Sequence, residues 1–180
     1  MPGKRLFVAI DLPDSVKQLL VSLNPQLRGV RWIGPEQMHL TLSFLGTVPA
    51  SLEDRLREKL AGIQWSAFFL PVIGLGVFPA KGRPNVIWIG TGAGHPHLFQ
   101  LHKRVHDAAL GAGLEPDLRP WHPHVTLARC RDVSAESVRP FLKAHAEFDA
   151  GIIHVESFCL NSSVLTPDGS IYTQELAVRV

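Results

Sequence analysis

The order of apolar and polar residues along the chain predicts strands and helices in alternation. The apolar segment RLFVAID at residues 5–11 indicates a buried first strand, and a helix with Pro13 near its first turn is expected to follow to about residue 23. β-Branched and aromatic residues predict one strand over residues 67–78. The turn sequence KGRP at residues 81–84 then brings residues 85–90 back as a hairpin partner.

Start and stop signals predict the remaining elements. A helix over residues 51–61 begins in a segment that resembles a capping box at Ser51, and a helix over residues 97–110 ends at Gly111 and Gly113. A third helix is expected over residues 134–145, capped by Ser134. Further strands are predicted at residues 28–33, 38–45, 125–130, 148–160 and 170–180, the last two joined by the turn sequence TPDG at residues 166–169.

This order of elements repeats around one four-residue phrase. Residues 39–42 read HLTL and residues 124–127 read HVTL, and each phrase is followed by a loop, a helix beginning with serine and a further strand. The two histidines are 124 − 39 = 85 residues apart, close to half of the 180 residues. The sequence therefore predicts an α+β fold of two pseudo-symmetric lobes, with antiparallel sheets flanked by helices around a central cleft. Residues 1–180 are expected to form this single bilobal domain.

The repeated phrase also carries candidate chemistry. Side chains alternate faces along a strand, so His39 shares a face with Thr41, and His124 shares a face with Thr126. Two imidazoles across one cleft can divide a reaction, because a neutral imidazole removes a proton from the nucleophile while a protonated one donates a proton to the leaving group. The threonine hydroxyls are then expected to donate hydrogen bonds to anionic oxygens as charge builds.

Arg129 would add a guanidinium suited to phosphate, but its spacing presents a problem. It follows His124 by five residues and Thr126 by three, and odd offsets place it on the opposite face of an ideal strand. A bend or bulge near the end of the strand is therefore required to aim it into the cleft. Neither motif contains an acidic residue, and no glycine-rich phosphate loop accompanies them, so the substrate must already be activated. A strained cyclic phosphodiester meets that requirement without metal or ATP.

Composition narrows the class of protein. The chain is 46% hydrophobic and 19% charged with a net charge of +2, which fits a globular protein with at most a local basic cleft. Its two cysteines, Cys130 and Cys159, are too few for a disulfide framework, and no apolar run is long enough for a signal peptide or a membrane span. A reducing cytoplasm is expected. His102 and His106 have metal-helix spacing but lack an intervening glutamate, so a solvated helix face is predicted there.

Three segments together resemble a known family. HLTLSFLG (39–46) and HPHVTLAR (122–129) look like the paired His-x-Thr motifs of the two-histidine (2H) phosphoesterase superfamily. RLFVAIDLP (5–13), taken with HPHVTLAR, resembles its RNA 2′,3′-cyclic phosphodiesterase branch, also called the 2′-5′ RNA ligase family. The resemblance extends nearly to the end of the chain, through TPDGSIYTQEL (166–176).

The resemblance implies a V-shaped cleft in which RNA 2′,3′-cyclic phosphates are hydrolysed to terminal 2′-phosphates, with no metal or other cofactor. It also implies a weak, ATP-independent, reversible joining of RNA ends through 2′-5′ linkages. The implied partner is RNA with 2′,3′-cyclic phosphate ends, such as tRNA fragments, with no membrane and no obligate protein partner. The family's roles map onto His39 as proton donor and His124 as proton acceptor, and onto four substrate-binding residues: Thr41, Thr126, Arg129 and, as a base contact, Phe7.

Three alternatives remain open from the sequence. The same chemistry could act on a small cyclic nucleotide or an ADP-ribose cyclic phosphate. The chain could bind RNA ends without turning them over, although the two intact histidines argue against this. The nine histidines could also build a metal hydrolase.

Overall fold

The computed structural model describes residues 2–180, which form ten strands, four α-helices and one 3₁₀ helix. In chain order the elements are β1 (Lys4–Asp11), α1 (Asp14–Ser22), β2 (Val30–Trp32), the 3₁₀ helix (Pro35–Gln37), β3 (His39–Val48), α2 (Ala50–Ala61), β4 (Phe68–Ile73), β5 (Leu75–Phe78), β6 (Val86–Gly90), α3 (Pro96–Gly111), β7 (His124–Cys130), α4 (Ala135–Ala144), β8 (Asp149–Val155), β9 (Ser157–Thr166) and β10 (Gly169–Arg179). Within residues 2–180, no helix has the length and apolar character needed to cross a membrane.

Eight strands form one sheet in which the two motif strands lie at the centre. The order is β10-β9-β1-β3-β7-β6-β5, with β2 added beside β7, and every ladder between these strands is antiparallel. Strands β4 and β8 form a second, antiparallel sheet. The predicted α+β architecture with two lobes of antiparallel strands is confirmed, since β1 and β3 belong to one half and β6 and β7 to the other.

The two halves of the large sheet meet at a single residue pair. Leu40 of β3 lies opposite Val125 of β7, and this is the one ladder pair that joins these strands within the described chain. Both side chains are buried, at 1% and 0% exposure, so they point into the core. Because neighbouring residues point the other way, the motif histidines and threonines face the cleft.

Both motif strands contain a bulge at the same place. Opposite β1, the register of β3 moves from Ala9–Thr41 to Val8–Ser43, which leaves Leu42 without a partner. Opposite β6, the register of β7 moves from Trp88–Thr126 to Ile87–Ala128, which leaves Leu127 without a partner. In each case the extra residue is the third after the histidine, and it is followed by a second buried residue.

The bulge changes which residues face the cleft. One extra residue in a strand inverts the alternation beyond it, so the fifth residue after each histidine returns to the histidine's face. In β7 that residue is Arg129, and in β3 it is Phe44. The bulge that the sequence required for Arg129 is thus present.

Two predicted strands were wrong because each is divided between the two sheets. Residues 67–78 are split at Gly74, whose φ of +82° lies in the left-handed region that glycine adopts readily, so that β4 and β5 pair with different partners. Residues 148–160 are split at Glu156, between β8 and β9, where the Glu156 carbonyl accepts a hydrogen bond from Val180. A continuous run of β-forming residues gives no sign of the point at which the chain leaves one sheet and enters the other.

The predicted capping box at Ser51 was also wrong. Helix α2 begins one residue earlier, at Ala50, and Pro49 occupies the cap position without a side-chain hydrogen bond. Ser134 does cap α4, and its hydroxyl accepts a hydrogen bond of 3.2 Å from the backbone NH of Ser137. The repeated order of elements is therefore real, but the two helices begin differently.

Candidate active site

The sequence-predicted residues line one cavity of about 650 Å³ between the two halves of the large sheet. The structure brings together all six of them there: His39, Thr41, His124, Thr126, Arg129 and Phe7. Three of the six belong to the first half of the sequence and three to the second, so the fold brings distant segments together at this cavity.

The pair Leu40–Val125 determines how the motif residues face each other. When the antiparallel register is extended by one residue in each direction, His39 lies opposite Thr126 and Thr41 lies opposite His124. The two histidines are then diagonal neighbours, and residues in that relation are typically about 7–8 Å apart, with their Cβ atoms somewhat closer. The two imidazoles and the two hydroxyls then lie at the corners of a rectangle on the face of the sheet that lines the cavity.

His39 packs against two aromatic rings, and the charged side chains of Asp11 and Lys17 lie nearby. Its ring centroid is 4.8 Å from that of Phe7 and 5.3 Å from that of Tyr172. Burial disfavours the charged imidazolium and lowers the pKa of His39 to about 4, while a hydrogen bond to the backbone of Gln37 opposes this shift. His39 is therefore neutral at neutral pH in the free protein.

His124 is oriented by the backbone. Its Nδ1 lies 2.7 Å from the carbonyl oxygen of His122, and because a carbonyl oxygen only accepts, Nδ1 carries the hydrogen. The lone pair is consequently on Nε2, which suits a proton acceptor. Burial lowers the pKa of His124, the hydrogen bond to the His122 backbone opposes this shift, and electrostatic repulsion from His122 and Arg129 adds to it.

The two imidazoles have equivalent supports. The His124 ring forms a hydrogen bond with the backbone of the residue two positions earlier, and for His39 the backbone of the corresponding residue, Gln37, raises the pKa. Each is also flanked by aromatic rings, those of Phe7 and Tyr172 on one side and those of Phe78 and Trp88 on the other. The pseudo-two-fold symmetry of the fold thus extends to the surroundings of the histidines.

The cavity is strongly basic although the protein is nearly neutral. Four arginines line it, and none of its described lining residues is acidic: Arg5, Arg31, Arg119 and Arg129. Arg5, Arg31 and Arg119 were not predicted from the sequence, and neither was Tyr172. Arg31 on β2 is the register partner of Arg129 on β7, a pairing between distant segments that no local pattern signals.

Two of the arginines that the sequence did not predict have hydrogen-bond partners in the protein, a carboxylate for Arg119 and a backbone carbonyl for Arg31. Arg119 forms an ion pair with Asp117, with Nε 2.8 Å from Oδ2, and the guanidinium lowers the pKa of that carboxyl to about 2. Arg31 donates a hydrogen bond to the carbonyl of Asp168. These contacts orient both side chains at the cavity wall.

The expectation that His102 and His106 lie on a solvated face of α3 was wrong for His102. His102 is not on a solvated face: its ring stacks on Trp121 with centroids 3.9 Å apart, and its Nδ1 lies 2.8 Å from the carbonyl of Leu42. The contact holds the bulge residue of β3 against the helix, which explains why a helix-surface pattern was misleading. Within residues 2–180, no cluster of three or more histidine, cysteine, aspartate or glutamate side chains is arranged to hold a metal ion.

The fold and the cavity together define a phosphoesterase with two motif histidines. The family described as LigT-like phosphoesterases matches the chain twice, over residues 10–88 and over residues 89–172, which is the duplication seen in the sheet. The chain belongs to this family.

Individual relatives cover most of the chain. An RNA 2′,3′-cyclic phosphodiesterase of Archaeoglobus fulgidus is 32% identical over 171 residues, covering 93% of this chain and 96% of that protein. One of Thermus thermophilus is 36% identical over 186 positions, covering 94% and 86%. The crystal structure of Escherichia coli LigT in apo form has a TM-score of 0.82 at 26% identity, covering 99% and 98%, and its complex with 3′-AMP has a TM-score of 0.81.

The low pKa of His39 predicts a specific pH dependence of stability. Because the unfolded chain binds a proton near pH 6.5 and the folded chain only near pH 4, stability is lost as the pH falls between these values. We expect the wild-type protein to lose about 2 kcal/mol more than His39→Gln between pH 7 and pH 5. Urea unfolding measures this difference. His154→Gln, which also removes one imidazole from the unfolded chain, is the matched control, and equal losses in wild type and His39→Gln would contradict the account.

Proposed function

We propose that this protein hydrolyses RNA 2′,3′-cyclic phosphate ends to 2′-phosphates, using its two motif histidines as acid and base without a metal ion. The observation that carries the proposal is that both histidine–threonine pairs, from β3 and from β7, line one basic cavity at the point where the buried pair Leu40–Val125 joins the two strands. The names of the relatives from A. fulgidus and T. thermophilus support the choice of substrate.

The cyclic phosphate is held between the two motif strands. The hydroxyls of Thr41 and Thr126 donate hydrogen bonds to its non-bridging oxygens, and the guanidinium of Arg129 balances the remaining charge. These donors are strand residues whose positions are fixed by the buried pair Leu40–Val125, so they need little rearrangement as the phosphorus becomes five-coordinate.

Proton transfer then follows from the two environments. Neutral His124 accepts a proton from water at Nε2 while the water oxygen forms a bond to phosphorus. The bond from phosphorus to O3′ breaks, and O3′ takes a proton from His39. The product carries a 2′-phosphate and a 3′-hydroxyl, and exchange with solvent moves one proton from His124 back to His39 over the cycle.

The low pKa of His39 in the free protein conflicts with its role as proton donor, and substrate binding removes this conflict. A proton donor must be charged, and burial among apolar rings opposes that charge. The phosphodiester anion places an opposite charge beside the imidazole, which raises its pKa and favours protonation. His39 thus becomes an acid when the substrate that needs it is bound.

Phe7 has a limited role beside the terminal nucleotide. Its ring lines the cavity, but its exposure is 4% and it packs against His39. We propose that it contacts the nucleotide by its edge and mainly keeps the His39 imidazole in place.

The same site supports joining of RNA ends. A 5′-hydroxyl replaces water as the nucleophile, His124 accepts its proton, and O3′ leaves to give a 2′-5′ linkage. Ring strain supplies the driving force, so ATP is not needed.

Four arginines favour a polynucleotide such as a tRNA fragment over a small cyclic nucleotide. The two free cysteines agree with a cytoplasmic location.

The product of the reaction tests the proposal. An oligoribonucleotide with a 2′,3′-cyclic phosphate end is incubated with the protein in EDTA, and the products are separated to resolve 2′- from 3′-phosphate. We expect turnover with 2′-phosphate as the product. Complete loss of activity on chelation, or release of 3′-phosphate, would overturn it.

Removal of either imidazole tests the division of roles. His39→Ala and His124→Ala should each lower kcat by about 10²–10⁴-fold, the usual contribution of one general acid or base. His145→Ala, which alters a histidine that bonds to Phe141 at the end of α4, is the control and should keep the wild-type rate. A near-normal rate in either motif variant would exclude that residue from catalysis.

A further inference from the structure

Two side chains from outside the motif strands hold the backbone of β3 at its bulge. The indole Nε1 of Trp121 donates a hydrogen bond of 3.1 Å to the carbonyl oxygen of Thr41. Nδ1 of His102 lies 2.8 Å from the carbonyl oxygen of Leu42, and because that oxygen only accepts, Nδ1 carries the hydrogen. These carbonyls belong to the peptide groups before and after Leu42, the bulge residue, so each of its peptide groups is held by one side chain.

The two side chains also pack on each other. The rings of His102 and Trp121 are stacked, with centroids 3.9 Å apart and planes inclined by 4°. Phe99, about one turn earlier on α3, lies edge-on to the indole, with centroids 5.9 Å apart. Helix α3 thus fixes the orientation of the indole that bonds to β3.

The equivalent bulge on β7 is held by the backbone instead. The carbonyl oxygen of Leu127 accepts a hydrogen bond of 2.9 Å from the backbone NH of Ile33, the residue directly after β2. Strand β2 pairs with β7, whereas within residues 2–180 β3 pairs only with β1 and, at one residue pair, with β7. The first half of the site therefore has no counterpart of β2, and His102 supplies the hydrogen bond that Leu42 would otherwise lack.

The segment that carries the indole also contacts the second motif. The carbonyl of His122, the residue after Trp121, accepts the hydrogen bond from Nδ1 of His124 that fixes the tautomer of that ring. Two consecutive residues therefore bond to Thr41 of the first motif and to His124 of the second. The register extended from the buried pair of β3 and β7 places these two motif residues opposite each other.

We propose that His102 and Trp121 are positioning residues of the active site, which fix the Thr41 hydroxyl beside His124 by holding both peptide groups of the bulge. Neither is among the described residues that line the cavity, so each acts through the backbone and not on the substrate. The inference rests on the proposed function for the role of the Thr41 hydroxyl at the phosphate. A hydrogen-bond donor must be aimed where charge develops, and a misplacement of about 1 Å can lower the rate by about 10²-fold.

A double-mutant cycle tests whether Trp121 acts through Thr41. Trp121→Phe keeps a ring against His102 but removes the donor, and it should lower kcat on a cyclic phosphate-ended oligoribonucleotide by about 10- to 100-fold with little change in KM. In a Thr41→Val background the same substitution should cost almost nothing, because the hydroxyl that it displaces is already absent. In a Thr126→Val background, the matched control, it should cost its full amount. Equal losses in the two backgrounds would show a general structural effect and overturn the proposal.

Variants of α3 separate the hydrogen bonds from the packing. His102→Phe keeps a ring on the indole without a donor for the Leu42 carbonyl. It should lower kcat in the same Thr41-dependent way, and it carries the test if Trp121→Phe fails to fold. Phe99→Leu removes a ring that touches the indole but has no hydrogen-bonding group, and it should keep the wild-type kcat. A loss in Phe99→Leu equal to that in His102→Phe would contradict the assignment.

A measurement on the free protein keeps the test independent of the reaction. The NMR order parameter of the Leu42 amide reports the peptide group held by Trp121, and that of the Ser43 amide reports the group held by His102. Trp121→Phe should lower the first, and His102→Phe the second, from the value of about 0.85 that is typical of rigid backbone. If the wild-type protein hydrolyses no cyclic phosphate, that result counts against the proposed function alone. Unchanged order parameters in both variants would then overturn the positioning role.

Discussion

The buried pair Leu40–Val125 is the constraint on which the site depends. It joins two four-stranded halves into one sheet at a single point, and both side chains are almost fully buried. Antiparallel pairing at that point places each motif histidine opposite the other motif's threonine. The positions of four functional groups are therefore set by core packing rather than by flexible loops.

Duplication with divergence explains the rest of the cleft. The bulge at Leu42 is repeated at Leu127, and each turns the same position toward the cavity. One copy supplies Arg129 and the other Phe44, so the two halves of a symmetric framework present different side chains to the cavity. The symmetric backbone places one imidazole of each motif at the cavity, and the side chains beyond the two bulges make the halves different.

Local sequence patterns predicted the shared face of the motif residues and the bulge before Arg129, because both depend only on spacing along one strand. His39 and Thr41 share a strand face by spacing alone, and the odd offset of Arg129 was enough to require a bulge. Other features depend on contacts between distant segments. Arg31 reaches the cavity because β2 pairs with β7, and the ring of Tyr172, which packs against that of His39, belongs to β10, two strands beyond β1. The change of sheet at Gly74 could not be predicted for the same reason, because it depends on the pairing of β4 with β8 and of β5 with β6.

The central claim is that both imidazoles are neutral in the free protein and that the backbone fixes the lone pair of His124 toward the phosphate. NMR of ¹⁵N-labelled histidines at pH 7.5, without ligand and with a nucleoside 2′-phosphate, measures this directly. The account predicts a neutral His39 and an Nδ1–H tautomer at His124 in the free protein, and protonation of His39 when the anion binds. An Nε2–H tautomer at His124, or a His39 that is charged before the anion binds, would contradict it.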